Sequence, residues 1–210
     1  MKLSRRIRTD PPFLQELIRT GRGLVILFTE MWLLKTKPQV ERILVNDALF
    51  SKVAEMRYKI YCEEMGFLEK KKYSDDKETD EYDGSSVHVV VKVGNRLGGY
   101  ARVILPNGKG LPIFSHFDIP EEKDMAHSCE VSRLMISKYY RRKTETRREI
   151  FSLLVTEIQK IAGENDIHSV YAVVEDWLLE SLNKRGYSFG VIGESTTIFN
   201  TVNYPVILKI

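Results

Sequence analysis

Between Asn46 and Glu64 the apolar positions Leu49, Val53, Met56 and Ile60 recur at i, i+4, i+7 and i+11, the spacing of a helix packed along one face. Asn46 or Asp47 offers an N-cap at its start. A parallel stripe of Phe50, Ala54, Arg57 and Tyr61 runs beside the first, so Arg57 lies within an apolar surface. A guanidinium there needs an anion, because an unpaired buried charge costs on the order of 3–5 kcal/mol. Ile150, Leu153, Leu154, Ile158 and Ile161 mark a second packed helix, Ile150 to Ala162, with Thr146 and Glu149 as a capping box ahead of it. Helical patterns also cover Pro11 to Lys35, broken near Gly21 and Gly23, and Trp177 to Lys184, closed by Gly186.

β-Branched runs at Val87 to Val93 and Leu97 to Leu105, joined by Gly94-Asn95-Arg96, predict a hairpin. Further strands are expected at Glu41 to Val45, Cys129 to Ile136, Val170 to Val174, Tyr187 to Ile192 and Val206 to Ile210. Glu69 to Asp83 is polar and loop-like, and Pro106 to Lys123 is irregular around the apolar piece Leu111 to Phe114. Hairpins mix with a crossover helix without regular alternation. The pattern predicts an α+β fold: a mostly antiparallel sheet of six to seven strands, helices on both faces, and one parallel junction around the crossover.

The 210 residues, 43% hydrophobic and 29% charged, suit one globular domain with an appendage: a helical extension over 1–40 and a domain over 41–210. The net charge of +3 is dispersed, which gives no footprint for nucleic acid. Cys62 and Cys129 are far apart and form neither a zinc motif nor a disulfide framework. Leu24 to Leu34 contains Glu30 and falls short of the roughly 20 residues that span a bilayer. No cleavable signal pattern is recognised, so a cytoplasmic location is expected, with peripheral membrane contact allowed through the basic amino-terminal region.

Chemistry concentrates in two segments. Glu130 and Arg133, three apart, would point to opposite faces of an ideal strand, and a bulge between them would bring both to one side. Asp80 and Asp83, preceded by Glu78 and followed by His88, close a loop before a strand, with Arg57 and Arg102 as candidate counter-charges. A hard-cation site needs more oxygen ligands than this loop offers, so no metal is expected. Cys129 would face away from Glu130, the four histidines are scattered, and Gly98-Gly99 is no phosphate loop. Arg141, Arg142, Lys143, Arg147 and Arg148, interleaved with Tyr139 and Tyr140, form a basic patch at a helix start. It reads either as a solvated loop or as a dock for a phosphopantetheine or an acidic carrier protein.

Four segments carry a resemblance: RYKIYCEEMGF from Arg57, DEYDGSSVH from Asp80, Gly99 to Leu105 with Arg102, and EVSRLMISKYYRR from Glu130. Together they resemble the autoinducer synthase-like branch of the GNAT acyltransferases, nearest to N-acyl amino acid synthases and PEP-CTERM/exosortase-associated acyltransferases. The resemblance runs from about Val45 to the carboxyl terminus. It implies a GNAT sheet splayed around a cleft, with an acyl thioester entering one side and an amine acceptor the other. It also implies that Arg57, Asp80, Asp83, Arg102, Glu130 and Arg133 form the family's charged cluster. Tyr61 and Phe67 then flank the acceptor, Glu130 is the general base, and Ser132 lies near the acyl path. Common GNAT enzymes bind the CoA pyrophosphate with a glycine-containing loop, whereas Arg141 to Thr146 reads RRKTET. Acyl carrier protein is therefore the expected donor ahead of acyl-CoA, neither of them a tightly bound cofactor.

The implied activity is transfer of a fatty acyl group to the amine of an amino acid. Synthesis of an acyl-homoserine lactone from S-adenosylmethionine and a non-catalytic acyl or carrier-protein binding module are the alternatives.

Overall fold

The computed structural model describes residues 37–120, 125–198 and 201–210. Residues 38–210 form one compact unit, and the helices expected over Pro11 to Lys35 fall outside the described residues. Its eight strands are β1 (Pro38–Ile43), β2 (Ser86–Val93), β3 (Arg96–Ile104), β4 (Ser128–Ile136), β5 (Ser169–Glu175), β6 (Gly190–Val191), β7 (Thr196–Ile198) and β8 (Thr201–Lys209). The helices are α1 (Ala48–Tyr58), α2 (Ile113–His116), α3 (Lys138–Arg141), α4 (Thr144–Glu164) and α5 (Asp176–Lys184).

The sheet runs β1-β2-β3-β4-β5-β8-β6, with β7 also on β8. Among the described strands only β4 and β5 pair in parallel, joined through α4 as the crossover. The β2–β3 hairpin turns on Gly94-Asn95, where Gly94 takes a φ of +61° that a side chain would resist.

Several boundaries differ from the sequence expectation. The first strand is Pro38–Ile43 rather than Glu41 to Val45, because it pairs residue for residue with β2 back to Val93. The strand expected from Tyr187 shrinks to Gly190–Val191, while β8 starts at Thr201 and β7 folds back onto it. The crossover helix begins at Thr144 with no side-chain cap hydrogen bond, so Thr146 and Glu149 lie inside its first turns. Arg147 N–H already bonds the Lys143 carbonyl at 2.8 Å, which makes a later start unnecessary.

The two sheet faces are built differently. On one, Val89, Val91, Ala101, Val103, Cys129 and Val170 pack under Ile150, Leu154, Ile158 and Ile161 of α4. A Cβ on Gly99 would sit 2.5 Å from Ile150 Cγ2, so glycine lets the helix descend onto β3. The other face carries two apolar clusters. One lies with α1 (Phe50, Val53, Val90, Tyr100, Met135), the other with the α2 loop (Ile104, Ile113, Phe117, Tyr171, Ile207). Between them runs a polar row set by register, His88 opposite Arg102 and Arg102 opposite Ser132, with Glu130 one pair further between Ile104 and Tyr171.

Two irregularities shape this row. From Tyr100 to Arg102, β3 advances two residues while β4 goes from Met135 to Ser132, so β4 carries an extra residue at Arg133-Leu134. Arg133 there takes a φ of +54°. In addition, β4 and β5 pair only over Ser128–Val131 and Ser169–Ala172, although both strands continue. Beyond these pairs they separate, which opens the sheet next to Glu130. No helix among the described residues is long and apolar enough to cross a membrane.

Candidate active site

Asp47 caps α1 by accepting from Leu49 N–H at 2.8 Å. The helix then widens into a π-helical turn, Lys59–Glu64, closed by Met65 N–H on the Ile60 carbonyl. Such turns recur at functional sites. Here it carries Tyr61, whose carbonyl accepts from Phe67 N–H at 2.8 Å, and the two rings lie 6.2 Å apart.

Arg57, fully buried, donates from Nε to Glu78 Oε2 at 2.5 Å and from Nη1 to Asp83 Oδ1 at 2.6 Å. Arg102 Nη1 donates to Asp80 Oδ1 at 2.5 Å and to Asp83 Oδ1 at 2.8 Å, and its Nε to Ser132 Oγ at 2.9 Å. Arg133 Nη2 reaches Glu78 Oε1 at 2.9 Å and Asp80 Oδ2 at 3.3 Å. Three guanidiniums thus alternate with three carboxylates, drawn from α1, the loop before β2, β3 and the bulge of β4. The left-handed turn at Arg133 aims its side chain into this network, over the Tyr61 ring at 5.2 Å.

Burial opposes the charge on Glu78, but hydrogen bonds and attraction from Arg57 and Arg133 prevail and hold its carboxyl down to about 2. Asp80 is likewise kept below the usual carboxylate range, burial being outweighed by Arg102 above all. His88 Nε2 faces the Asp83 carbonyl at 3.1 Å and must carry the proton, so Nδ1 accepts from Tyr100 OH at 2.7 Å. His88 therefore braces the network, and burial holds its pKa below the ordinary histidine value.

Glu130 stands apart from this network. It is 4% exposed, and its Oε2 accepts from the backbone N–H of Ile113, at the start of α2, at 2.8 Å. Burial pushes its carboxyl up to about 7, against the pull of that N–H and the charges of Arg102 and Arg133. Cys129 faces the α4 side, away from Glu130.

Arg57, Asp80, Asp83, Arg102 and Arg133 come together, with Ser132 as a hydrogen-bond partner of Arg102 and Tyr61 beneath Arg133. Phe67 extends the aromatic edge. Sequence reasoning named Glu78 in the acidic loop but gave no site role to it, the carboxylate that joins Arg57 to Arg133, and did not foresee the Ile113 N–H. The available signal for Glu78 was its separation of two from Asp80, the distance at which side chains share a side of an extended segment.

The basic residues follow β4 out of the split. Arg141 donates to the Ile136 carbonyl at 2.8 Å and to Glu64 at 2.7 Å, which anchors it. Arg142, Lys143, Arg147 and Arg148 are exposed around the start of α4, where helix N–H groups favour an anion. Lys143 Nζ also lies 3.7 Å from the centre of the exposed Tyr139 ring.

A family model described as an acetyltransferase (GNAT) domain matches residues 56–149. Among solved structures, the chain is similar to BjaI, a CoA-dependent acyl-homoserine lactone synthase solved with SAM and isopentyl-CoA. The TM-score is 0.67 at 19% identity, over 82% of this chain and 83% of that one. It is also similar to TofI, solved in a ternary complex with an inhibitor and MTA (TM-score 0.64, 18% identity, 82% and 91% covered). The acyl-homoserine lactone synthase LasI follows with a TM-score of 0.61 at 17% identity, over 82% and 88%. No curated protein matches the chain by sequence. The fold is the GNAT acyl-CoA N-acyltransferase fold, which BjaI and LasI share.

Proposed function

We propose that this GNAT-type acyltransferase moves a fatty acyl group from acyl carrier protein, or from acyl-CoA, to the amine of an amino acid. The observation that carries this reading is Glu130, a carboxyl beside the β4–β5 split with no arginine among the described residues hydrogen-bonded to it and a pKa near 7. An amine that is protonated at neutral pH must lose a proton before it attacks a thioester, and a base poised near the working pH suits that task. Glu130, directly or through a water, takes that proton, and the freed amine attacks the thioester carbonyl to form the C–N bond. As the C–S bond breaks, the second proton lost by the nitrogen passes to the leaving thiolate, giving the amide and the thiol.

A backbone N–H of the bulged Glu130 to Leu134 stretch would hold the developing oxyanion, since a bulge releases a residue from the strand ladder. The arginine–carboxylate network orders the wall of the cleft, with Asp80 as its most exposed carboxylate among Glu78, Asp80 and Asp83. Tyr61 and Phe67 flank the acceptor, and the basic residues around the start of α4 receive the acidic donor.

Expression in a bacterium followed by mass spectrometry of lipid extracts should reveal new N-acyl amino acids, reduced roughly 10²- to 10⁴-fold by Glu130→Gln. Equal yields from both would end the catalytic assignment. The likeness to BjaI, solved with SAM, favours one second reading, synthesis of an acyl-homoserine lactone. A lactone-responsive reporter that stays silent while N-acyl amino acids accumulate excludes it.

A further inference from the structure

The arginine–carboxylate network meets solvent mainly through Arg133 and Asp80, whose side chains are 20% and 26% exposed. Arg57, Glu78, Asp83 and Arg102 are at most 3% exposed. Each guanidinium carries five N–H donors, more than the carboxylates around it take up. Arg133 gives Nε and Nη2 to Glu78 and Nη2 to Asp80, and its Nη1 has no hydrogen-bond partner among the described residues. Arg57 also has a spare nitrogen, Nη2, but that one is sealed inside the protein. Among the three arginines only Arg133 combines a spare arm with a part-exposed side chain. Tyr61 lies beneath its guanidinium, 5.2 Å away, and steadies the plane. The φ of +54° at Arg133 is a conformation that non-glycine residues adopt chiefly at functional sites and ligand clamps.

We propose that Arg133 sets acceptor specificity: its Nη1 arm receives the free α-carboxylate of the amino acid that is acylated. The inference rests on the N-acyltransferase reading above and adds the group by which the acceptor is recognised. A singly charged, planar carboxylate matches the guanidinium fork. A doubly charged phosphate matches it less well, because Glu78 and Asp80 already share this guanidinium and repel further negative charge. Asp80 Oδ2, 3.3 Å from Arg133 Nη2, offers the incoming ammonium a counter-charge. The network therefore shows the cleft one cation beside one anion, the complement of a zwitterion. Arg133 and Glu130 share β4, and the charge of Arg133 acts on the Glu130 carboxyl. One carbon separates carboxylate from nitrogen in an α-amino acid, so an acceptor anchored at Arg133 keeps its nitrogen near the proposed base.

The test supplies the purified full-length enzyme with palmitoyl carrier protein and palmitoyl-CoA, and with a pool of the protein amino acids or of their α-carboxamides. Mass spectrometry should find the acids acylated roughly tenfold faster than the amides, or more. Amine reactivity alone gives the opposite order, since the less basic nitrogen of an amino acid amide is more often unprotonated at pH 7. Arg133→Lys keeps a charge for Glu78 but loses the fork. It should raise KM for the best acid roughly tenfold, more than it lowers kcat, and bring acids and amides to within about threefold of each other. Acids and amides acylated alike by the wild type would overturn the proposal and leave the N-acyltransferase reading standing. Acylation of neither pool would sink that reading instead. Saturation-transfer NMR of both pools on the enzyme then decides the carboxylate site, and binding that does not favour the acids overturns it. Should Arg133→Lys fail to fold, the wild-type comparison of acids with amides decides alone.

Discussion

Glu78 and Glu130 are both withdrawn from water, 0% and 4% exposed, yet they occupy opposite electrical settings. Glu78 is gripped by Arg57 and Arg133 and held down to about 2, while Glu130 meets one backbone N–H and is pushed up to about 7. Burial raises the pKa of both carboxyls. What differs is the number of guanidiniums in hydrogen-bond reach. The same side chain is thus a fixed ion-paired strut in one place and a carboxyl held near neutrality in the other, as the proposed role of Glu130 requires. Keeping three arginines occupied by Glu78, Asp80 and Asp83 leaves Glu130 able to titrate near neutrality.

The largest effect should come from breaking the strut. Glu78→Gln leaves Arg57 and Arg133 without their shared carboxylate, and urea unfolding at pH 7 should show a loss of about 3–5 kcal/mol. The sign of the pH dependence follows from the lowered pKa. Stability contributed by Glu78 is present above its ordinary value of 4.5 and is lost as pH falls through about 2. The gap between wild type and variant should therefore narrow on acidification. A loss below about 1 kcal/mol at pH 7 would mean that the arginines find other partners, and the contrast would fail.

Glu130→Gln should act in the opposite direction on stability. A carboxyl raised from 4.5 to about 7 binds more proton folded than unfolded within that window, so wild-type stability falls as pH rises through it and is level above. The neutral amide escapes this cost while still accepting from Ile113 N–H. At pH 8 the variant should be more stable by up to about 3 kcal/mol, although inactive. Wild-type turnover under limiting substrate should rise with pH to about 7 and then level off. An unchanged denaturation midpoint together with a flat pH profile would remove Glu130 from its role.

Much of this contrast was legible before any coordinates. Arg57 in an apolar stripe announced a need for an anion, and the spacing of Glu130 and Arg133 asked for a bulge. The bulge is there, at Arg133-Leu134. The Gly94-Asn95 turn and the single parallel junction also followed from pattern. Glu78 was not assigned because the loop from Glu69 to Asp83 has no period that separates buried from exposed positions, and its two arginines come from α1 and β4. The partner of Glu130 was hidden for a different reason, since a backbone N–H carries no residue signature. The start of α4 was misjudged because propensity located a capping box where tertiary packing had already begun the helix.

The helix-covered face supplies the control for the polar one. Gly99→Ala would drive a methyl group into Ile150 Cγ2, at 2.5 Å, and Leu154 Cδ1, at 3.1 Å. Overpacking of this kind costs about 1–3 kcal/mol. The loss should be the same at pH 5 and pH 8, because the nearest side chains are aliphatic. A pH-dependent loss would show that the two faces are coupled and that the polar row does not act alone.

The smallest effect on stability should come from Arg147→Ala with Arg148→Ala. Among the described residues Arg148 reaches Glu145, at 3.5 Å, and Arg147 the Arg141 carbonyl, at 3.1 Å, both at the exposed start of α4. Exposed contacts of this kind are worth about 0–1 kcal/mol. If these side chains receive an acidic carrier protein, KM for the acyl carrier should rise several-fold while kcat holds, and added salt should erase the difference by screening the attraction. Glu130→Gln should do the reverse, lowering kcat with little change in KM, because it removes a step and not an encounter. A double variant with unaltered KM at low salt would return the patch to solvated surface and move the donor's approach elsewhere on the cleft.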